Sequence, residues 1–337
     1  MQYNGSRAFS AEIRELRDLS DCYEVIRCLR SAFGDSYIKS EMYSPHRILD
    51  MHRSGEMHLF LAVTDDGSAA GIMGWEEISM FPGTAELCTL VVRPEYGGSG
   101  LGQALIRFAY DIVKQMDITS VFSYPIANHL KAQRCIENLH PVCCGFLPSV
   151  FSVEKFKNGE TGHKNPKDSL TVVSFNINKK DVGALHIKEQ YHPLAAVTYS
   201  ALGASIETVA DSIIPMAEKT AFEYRYDSTH STLYININIV GRDFVQLVSE
   251  LISHRSDDIF TAELCLDMYD SSAVYAADIL EREGFFFTGF HPLCRGREYC
   301  IYHYGGNVAF DIDDLDYIDG QRMFADCIKQ HTKEAQK

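Results

Sequence analysis

The residues best placed to do chemistry lie between Thr84 and Leu105. An apolar, β-branched run ends at Arg93-Pro94, a glycine-rich turn follows from Gly97 to Gly102, and an apolar helical pattern starts at Leu101. Strand, glycine loop and helix N-terminus in that order present backbone N–H groups and the positive end of a helix dipole to an anion. Two nucleotide-binding versions of this arrangement fail on spacing. A dinucleotide fingerprint, G-x-G-x-x-G, needs its last glycine one residue later than Gly98-Ser99-Gly100-Leu101-Gly102 supplies it. A phosphate loop of the form G-x-x-x-x-G-K-[ST] accepts Gly97 and Gly102, but Gln103-Ala104 replace the lysine and the magnesium hydroxyl. Metal chemistry has no better footing. The ten cysteines form no Cys-x-x-Cys and no Cys/His pair at zinc spacing, and the thirteen histidines form no His-Glu-x-x-His. The expectation is buried, reduced thiols and no metal.

The elements that must position the loop can be read along the chain. Glu12–Arg17 predicts a first strand, Tyr23–Phe33 a helix capped from Asp18–Asp21, and Ser44-Pro45 the start of a second helix. Met57–Thr64 and Ala70–Ser79 predict strands joined by the turn Asp65-Asp66-Gly67. After the loop come a helix over Leu101–Met116, a buried strand over Ile118–Tyr124, a helix around Leu130–Asn138, and strands at Gly145–Phe156 and Leu170–Asn178. Polar Lys157–Ser169 reads as the loop between that last pair. A second unit starts near Gln190, with a helix at His192–Leu202, strands at Thr220–Tyr226 and Ser231–Val240, and a helix at Asp243–His254. It continues with a strand at Ile259–Met268, a helix at Ser272–Glu283, and strands at Gly284–Phe290 and Glu298–Tyr304. Its order of strand, helix, strand, helix, strand, strand repeats that of the first unit from Glu86 onward, which predicts one α/β fold used twice. Thr-Ala-Glu-Leu-Cys occurs at 84–88 and 261–265, but by element order the copies fall on different strands, so the match reads as coincidence. Acidic Asp311–Gly320 fails as a calcium loop, because the glycine position holds Asp316 and the last ligand position Arg322; it reads as a solvated turn before a final helix. With 337 residues, 46% hydrophobic composition and a net charge of −15, the chain is of ordinary globular type and carries no nucleic-acid footprint. A polar start and the lack of long apolar runs predict a cytoplasmic protein without membrane contact.

The run Val92-Arg93-Pro94-Glu95-Tyr96-Gly97-Gly98-Ser99-Gly100-Leu101-Gly102 resembles the acyl-CoA loop of the GNAT superfamily of N-acetyltransferases, V-x-P-x-x-[R/Q]-x-x-G-x-[G/A]. Val92, Pro94, Gly100 and Gly102 fall on the pattern, while Gly97 replaces the Arg/Gln and loses one side-chain contact. The resemblance spans about Glu12–Asn178 and, more faintly, the second half, where Ala276–Phe285 matches the helix A-x-x-x-Y-x-x-x-G-F with Leu280 for tyrosine. It implies an α/β (α+β) chain of two tandem GNAT-like domains, 1–190 and 191–337, each a mixed, mostly antiparallel sheet flanked by helices. The second would be degenerate, since Gly241-Arg242 is too short to cradle a pyrophosphate. The resemblance assigns acetyl-CoA, or another acyl-CoA, to Gly97, Gly98, Ser99, Gly100, Leu101, Gly102 and Gln103, with Leu90, Val91 and Val92 pairing with the pantetheine and polarising the carbonyl. It implies acyl transfer to an unidentified amine of a small molecule or peptide, with Glu86 as base and Glu76 and Glu77 as lesser candidates. The family's acid tyrosine is replaced by Ile136, which leaves His129 or Tyr124 as proton donor. The missing tyrosine and the lost Arg/Gln also motivate the alternative, a non-catalytic acyl-CoA-binding or regulatory protein.

Overall fold

The computed structural model describes residues 1–4, 9–152, 166–176, 181–253, 259–294 and 296–335. The first half opens with strands β1 (Gln2–Asn4) and β2 (Ser10–Glu15), then helices α1 (Leu19–Phe33) and α2 (Pro45–Ser54). Asp18 caps α1 by accepting from the N–H groups of Ser20 and Asp21; Ser44 caps α2, Pro45 occupies its first turn and Gly55 closes it. Strands β3 (His58–Thr64), β4 (Ala69–Glu77) and β5 (Thr84–Val92) lead into the glycine loop and helix α3 (Leu101–Val113). Strand β6 (Ser120–Ser123), helix α4 (Lys131–Ile136) and strands β7 (Val142–Ser152) and β8 (Lys167–Asn176) complete this half. Then come β9 (Ala184–His186), α5 (His192–Ala201), β10 (Glu207–Val209), β11 (Ala221–Asp227), β12 (Thr232–Ile239) and α6 (Phe244–Ser253). Last are β13 (Thr261–Asp267), α7 (Ala273–Arg282), β14 (Phe286–Cys294), β15 (Arg297–Tyr304) and α8 (Arg322–Ala335).

Among the described residues, thirteen strands form one sheet in the order β1-β2-β3-β4-β5-β6-β8-β7-β14-β15-β13-β12-β11, and β9 and β10 form a small parallel pair. Outward from β7, the pairings β7·β8 and β8·β6 are antiparallel, β6·β5 parallel and β5·β4 antiparallel. Outward from β14, β14·β15 and β15·β13 are antiparallel, β13·β12 parallel and β12·β11 antiparallel. The two series are the same. They meet where Gly145 faces Gly289. A Cβ on Gly145 would lie 2.3 Å from the Thr288 carbonyl oxygen and 2.5 Å from the Gly289 Cα, so only glycine allows this approach. A buried cluster that includes Phe81, Phe122, Leu147, Leu170, Cys265 and Ile301 spans the junction.

The two Thr-Ala-Glu-Leu-Cys copies lie on β5 and β13, whose positions in the two series are not equivalent. Three features differ from the sequence reading. β1 and the β9–β10 pair went unseen because three-residue strands carry no usable period. The helix expected over Leu130–Asn138 is one short α-helix ending at Ile136, followed by a 3-10 turn. The segment Asp311–Gly320 is more than a solvated turn. Its carboxylates face outward, but the Asp316 N–H donates to the Ala127 carbonyl at 2.8 Å and the Ile318 N–H to Gln133 Oε1 at 3.1 Å. The ends of the predicted strands Gly145–Phe156 and Leu170–Asn178, and most of the loop between them, lie outside the described residues. Among the described residues no helix is long and apolar enough to cross a membrane and no His/Cys/Asp/Glu cluster is arranged to hold a metal.

Candidate active-site cleft

The site begins where two strands part. β5 and β6 pair through Thr84–Ser120, Ala85–Val121 and Glu86–Phe122, and the ladder then stops. The Ser123 hydroxyl donates to the Leu87 carbonyl at 3.0 Å, after which the chain turns away through Tyr124-Pro125 while β5 runs on to Val92. The divergence opens a cleft of about 2260 Å³, walled by β5, the glycine loop, residues 123–136 and strands β11–β13 of the second half.

β5 is kinked within the cleft. Cys88 pairs with Gly74 and Val91 with Ile72, so Thr89 and Leu90 together oppose the single residue Met73. Thr89 takes φ +55°, a rare conformation for a β-branched residue that costs about 1–3 kcal/mol. The Tyr37 hydroxyl donates to Thr89 Oγ1 at 3.0 Å and helps to hold the bulge. A bulge takes backbone groups out of the ladder and re-aims them, here beside the parted strands.

The glycine loop is braced from within. Ser99 Oγ donates to the Tyr96 carbonyl at 2.6 Å and accepts from the Leu101 N–H at 3.3 Å, while the Tyr3 hydroxyl donates to the Ser99 carbonyl at 2.7 Å. Gly98 and Gly100 have φ +70° and +92°, the left-handed region that favours glycine. Ala104 is the first residue of α3 whose N–H bonds back to the loop, to the Gly100 carbonyl at 3.2 Å. The N–H groups of Gly102 and Gln103 therefore point out of the helix start without an intrahelical acceptor.

The ionisable groups of the cleft stand where the strands part, Glu86 on β5 and Tyr124 just past the end of β6. Glu86 faces Glu76 across β4 and β5, and Glu76 accepts from Lys39 Nζ at 2.5 Å. Burial and the Glu76 charge push the Glu86 carboxyl up to about 7, against the opposing pull of Lys39 and Arg225. Burial, followed by the charge of Glu86, holds Tyr124 well above the ordinary tyrosine value, so it keeps its proton at neutral pH. The Tyr124 oxygen lies 3.3 Å from His291 Nε2, and His291 Nδ1 lies 3.4 Å from Cys265 Sγ. His291 is fully buried between the edges of Phe81 and Phe122, and burial drops its pKa to about 3, so the ring is neutral.

Comparison with known proteins covers this same stretch. Residues 21–140 match the model of the acetyltransferase (GNAT) family. That stretch is a GNAT acetyltransferase domain. Over 120 residues, 35% of this chain and 73% of the relative, the sequence is 28% identical to a Bacillus subtilis (strain 168) protein provisionally named as a ribosomal protein bS18-alanine N-acetyltransferase. Among solved structures, a Salmonella typhimurium protein provisionally named as an acetyltransferase, determined with its cofactor acetyl-CoA, is 15% identical with a TM-score of 0.41. It covers 51% of this chain and 96% of its own. A GNAT-family protein from Desulfovibrio desulfuricans is 19% identical with a TM-score of 0.39, covering 50% of this chain and 99% of its own.

Within and beside the GNAT domain, the structure gathers Glu86, Tyr124, Leu90, Val91, Val92 and residues Gly97–Gln103 around one cleft. His129 also lines the cleft, but it lies in the turn ahead of α4 rather than on the helix, and it is exposed. The groups that act on it are Lys131, Asp168 and Asp316, not Glu86 or Tyr124. Glu76 is committed to Lys39, and Glu77 accepts from the Gly83 N–H in the turn after β4. The glycine start of α3 suits a diphosphate: a Cβ at Gly98 would meet nothing within 4 Å, whereas one at Gly102 would press on Cys135 Sγ at 3.2 Å.

Sequence reading missed the wall supplied by the second half. Arg225 lies 4.4 Å over the Tyr234 ring, and Asn236 Nδ2 donates to the Met80 carbonyl at 2.8 Å. Below them Glu263 and His303 form a fully buried pair at 2.5 Å, with burial pushing the carboxyl up and the imidazole down to about 3. Buried Lys167 donates to Thr232 Oγ1 at 2.9 Å and Thr261 Oγ1 at 2.7 Å, which ties β8 to β12 and β13. No spacing marks these residues, because they are brought together only when the two halves share a sheet.

Proposed function

We propose that this chain is an N-acyltransferase that uses an acyl-CoA, most simply acetyl-CoA, to acylate an amine of a small molecule or peptide. The reading rests above all on Glu86: a carboxyl held at about 7, at the point where β5 and β6 part, in the same cleft as a glycine-lined helix N-terminus. A base with that pKa is half ionised near neutral pH, where proton removal is most effective.

When bound, the acyl-CoA supplies an activated acyl carbon on sulfur. The N–H groups of Gly98, Gly100, Gly102 and Gln103, with the dipole of α3, hold its diphosphate, and the edge of β5 at Leu90–Val92 aligns the arm. The amide freed by the Thr89 bulge donates to the carbonyl oxygen. Glu86 takes a proton from the incoming amine as the N–C bond forms. As the C–S bond breaks, the sulfur takes the Tyr124 proton, and the neutral imidazole of His291, protonated on Nε2, donates to the phenolate left behind. Glu76 is taken up by its ion pair with Lys39, so that Glu86 is the carboxyl that moves protons.

The two halves divide the work as residues 1–190, which bind the acyl-CoA, and 191–337, a degenerate copy that walls the acceptor side. The matching pairing series on either side of Gly145 and Gly289 supports this division. So does the β12–α6 turn: a Cβ at Gly241 would lie 2.2 Å from the Lys219 carbonyl carbon, a turn packed shut against the chain with no room for a phosphate. The acceptor side carries Glu41, Glu77 and Asp227, which favours a cationic amine. The name of the Bacillus relative makes a peptide beginning with alanine a first acceptor to try. A non-catalytic acyl-CoA-binding role has one observation in its favour, buried Ile136 in place of a tyrosine on α4.

Titration calorimetry with acetyl-CoA, followed by a thiol-release assay across amines and alanine-initiated peptides, separates the readings. The proposal expects binding and turnover. Binding without turnover on the whole panel supports the non-catalytic role, and no binding overturns both.

A further inference from the structure

The thirteen-stranded sheet ends in two unlike edges. β1 is three residues long, a blunt end that offers little to another chain. β11, Ala221-Phe-Glu-Tyr-Arg-Tyr-Asp227, is seven residues long and almost wholly exposed. Its inner side pairs with β12, and among the described residues its outer side pairs with nothing. In the first half the strand at the same place in the pairing series, β4, is covered by β3; among the described residues the second half has no such strand. Phe222, Tyr224 and Tyr226 alternate along one face of β11 with exposures of 38%, 68% and 47%, and neighbouring Ile239 is 48% exposed. A long, aromatic edge without proline is a template for strand addition unless something covers it.

We propose that β11 pairs antiparallel with β11 of a second copy of this chain, about a two-fold axis through Tyr224, so that the sheet runs unbroken through a dimer. The charges choose the register. With Tyr224 opposite the partner's Tyr224, Glu223 faces the partner's Arg225 and Arg225 faces the partner's Glu223. Phe222 then faces the partner's Tyr226 on the other side of the ribbon. A register centred on Arg225 sets arginine against arginine and Glu223 against the partner's Asp227; one centred on Glu223 sets glutamate against glutamate. Like charges directly opposed across a ladder are destabilising and opposite ones stabilising. A register centred on Tyr226 also sets Arg225 against the partner's Asp227 but keeps only Arg225–Asp227 of the strand paired, so the register centred on Tyr224, which pairs all seven residues, is favoured. The symmetry is isologous, the same patch serving both copies. Arg225 can reach the partner strand from its place over the Tyr234 ring: its side chain is 52% exposed and its ion partner in this chain, Asp227, is 3.9 Å away. The inference stands apart from the acyl-transfer reading.

Sedimentation velocity on the full chain across the micromolar range should give twice 38.0 kDa. Glu223→Arg alone and Arg225→Glu alone should each return the protein to monomer with an unchanged circular dichroism spectrum. The exchange Glu223→Arg/Arg225→Glu should restore the dimer. Amide hydrogen exchange on the wild type, which needs no variant to fold, should show 221–227 protected at high concentration and open at low. A wild-type monomer throughout, a dimer that neither reversal weakens, or an exchange variant that stays monomeric overturns the proposal, and a monomer would leave the edge to a different protein partner.

Discussion

Replacing Glu86 by glutamine should move activity and stability in opposite directions. Folding raises this carboxyl from the ordinary 4.5 to about 7. Between those values the folded chain keeps a proton that the unfolded chain has released, so stability falls as pH rises through the window, and the loss is complete above about 7. The displacement corresponds to about 3 kcal/mol, an upper figure because Glu86 stays partly open to water in the cleft. Glutamine carries no charge at any pH and avoids this cost. Glu86→Gln should match the wild type in urea denaturation near pH 4.5 and then pull ahead, by about 1–3 kcal/mol at pH 8. Thiol release with an accepted amine should fall about 100-fold in the same variant, and the wild-type rate should climb with pH up to about 7 before it levels. Urea midpoints that stay parallel from pH 5 to 8 would refute the electrostatic reasoning. Equal rates at pH 8 would remove Glu86 as the base.

Other substitutions test the remaining parts. Tyr124→Phe should lower turnover about 100-fold while calorimetric affinity for acetyl-CoA stays unchanged; a loss of affinity would make Tyr124 a packing residue only. Lys39→Met removes a cation that holds the Glu86 carboxyl down, so the rising limb of the pH–rate profile should move up by about one pH unit; an unmoved limb counts against the coupling. Gly100→Asp places a carboxylate at the start of α3 and should weaken acetyl-CoA binding on the order of tenfold, read by calorimetry. Gly145→Ala must push its new methyl against the Thr288 carbonyl and should cost about 3 kcal/mol; an unchanged melting curve would mean the junction between the halves yields more easily than its geometry implies.

Most of the fold was legible because its elements carry strong local signals. The caps at Asp18 and Ser44, the Asp65-Asp66-Gly67 turn and the apolar periods of α1, α3, α6 and α7 all come from neighbours in sequence. The glycine loop was legible for the same reason. Thr89 was not, since nothing in Cys-Thr-Leu announces a left-handed threonine; the bulge follows from Gly74 and Cys88 pairing across the sheet. Lys39 was hidden because a lysine before a 3-10 turn looks like any surface lysine until β4 brings Glu76 to it. Glu263 stood in a repeated pentapeptide, and the repeat was rightly treated as topologically unrelated. Its place on the cleft depends on β13 lying across the junction, which no local pattern records.

The junction also explains why Glu86 can have the pKa that the chemistry needs. On the first half alone its neighbours would be Glu76, which raises the pKa, and Lys39, which lowers it. Burial is the largest cause of the shift, and Tyr234 and Arg225 line the same cleft from the second half. Arg225 also limits the rise, so the second half both removes water from the carboxyl and keeps it from becoming a permanently protonated acid. The same half supplies His291, whose own burial keeps it neutral beside Tyr124. On the proposed acyl-transfer reading, the second half, whose β12–α6 turn has no room for a phosphate, is still required for proton transfer, through a wall of low dielectric and two placed side chains.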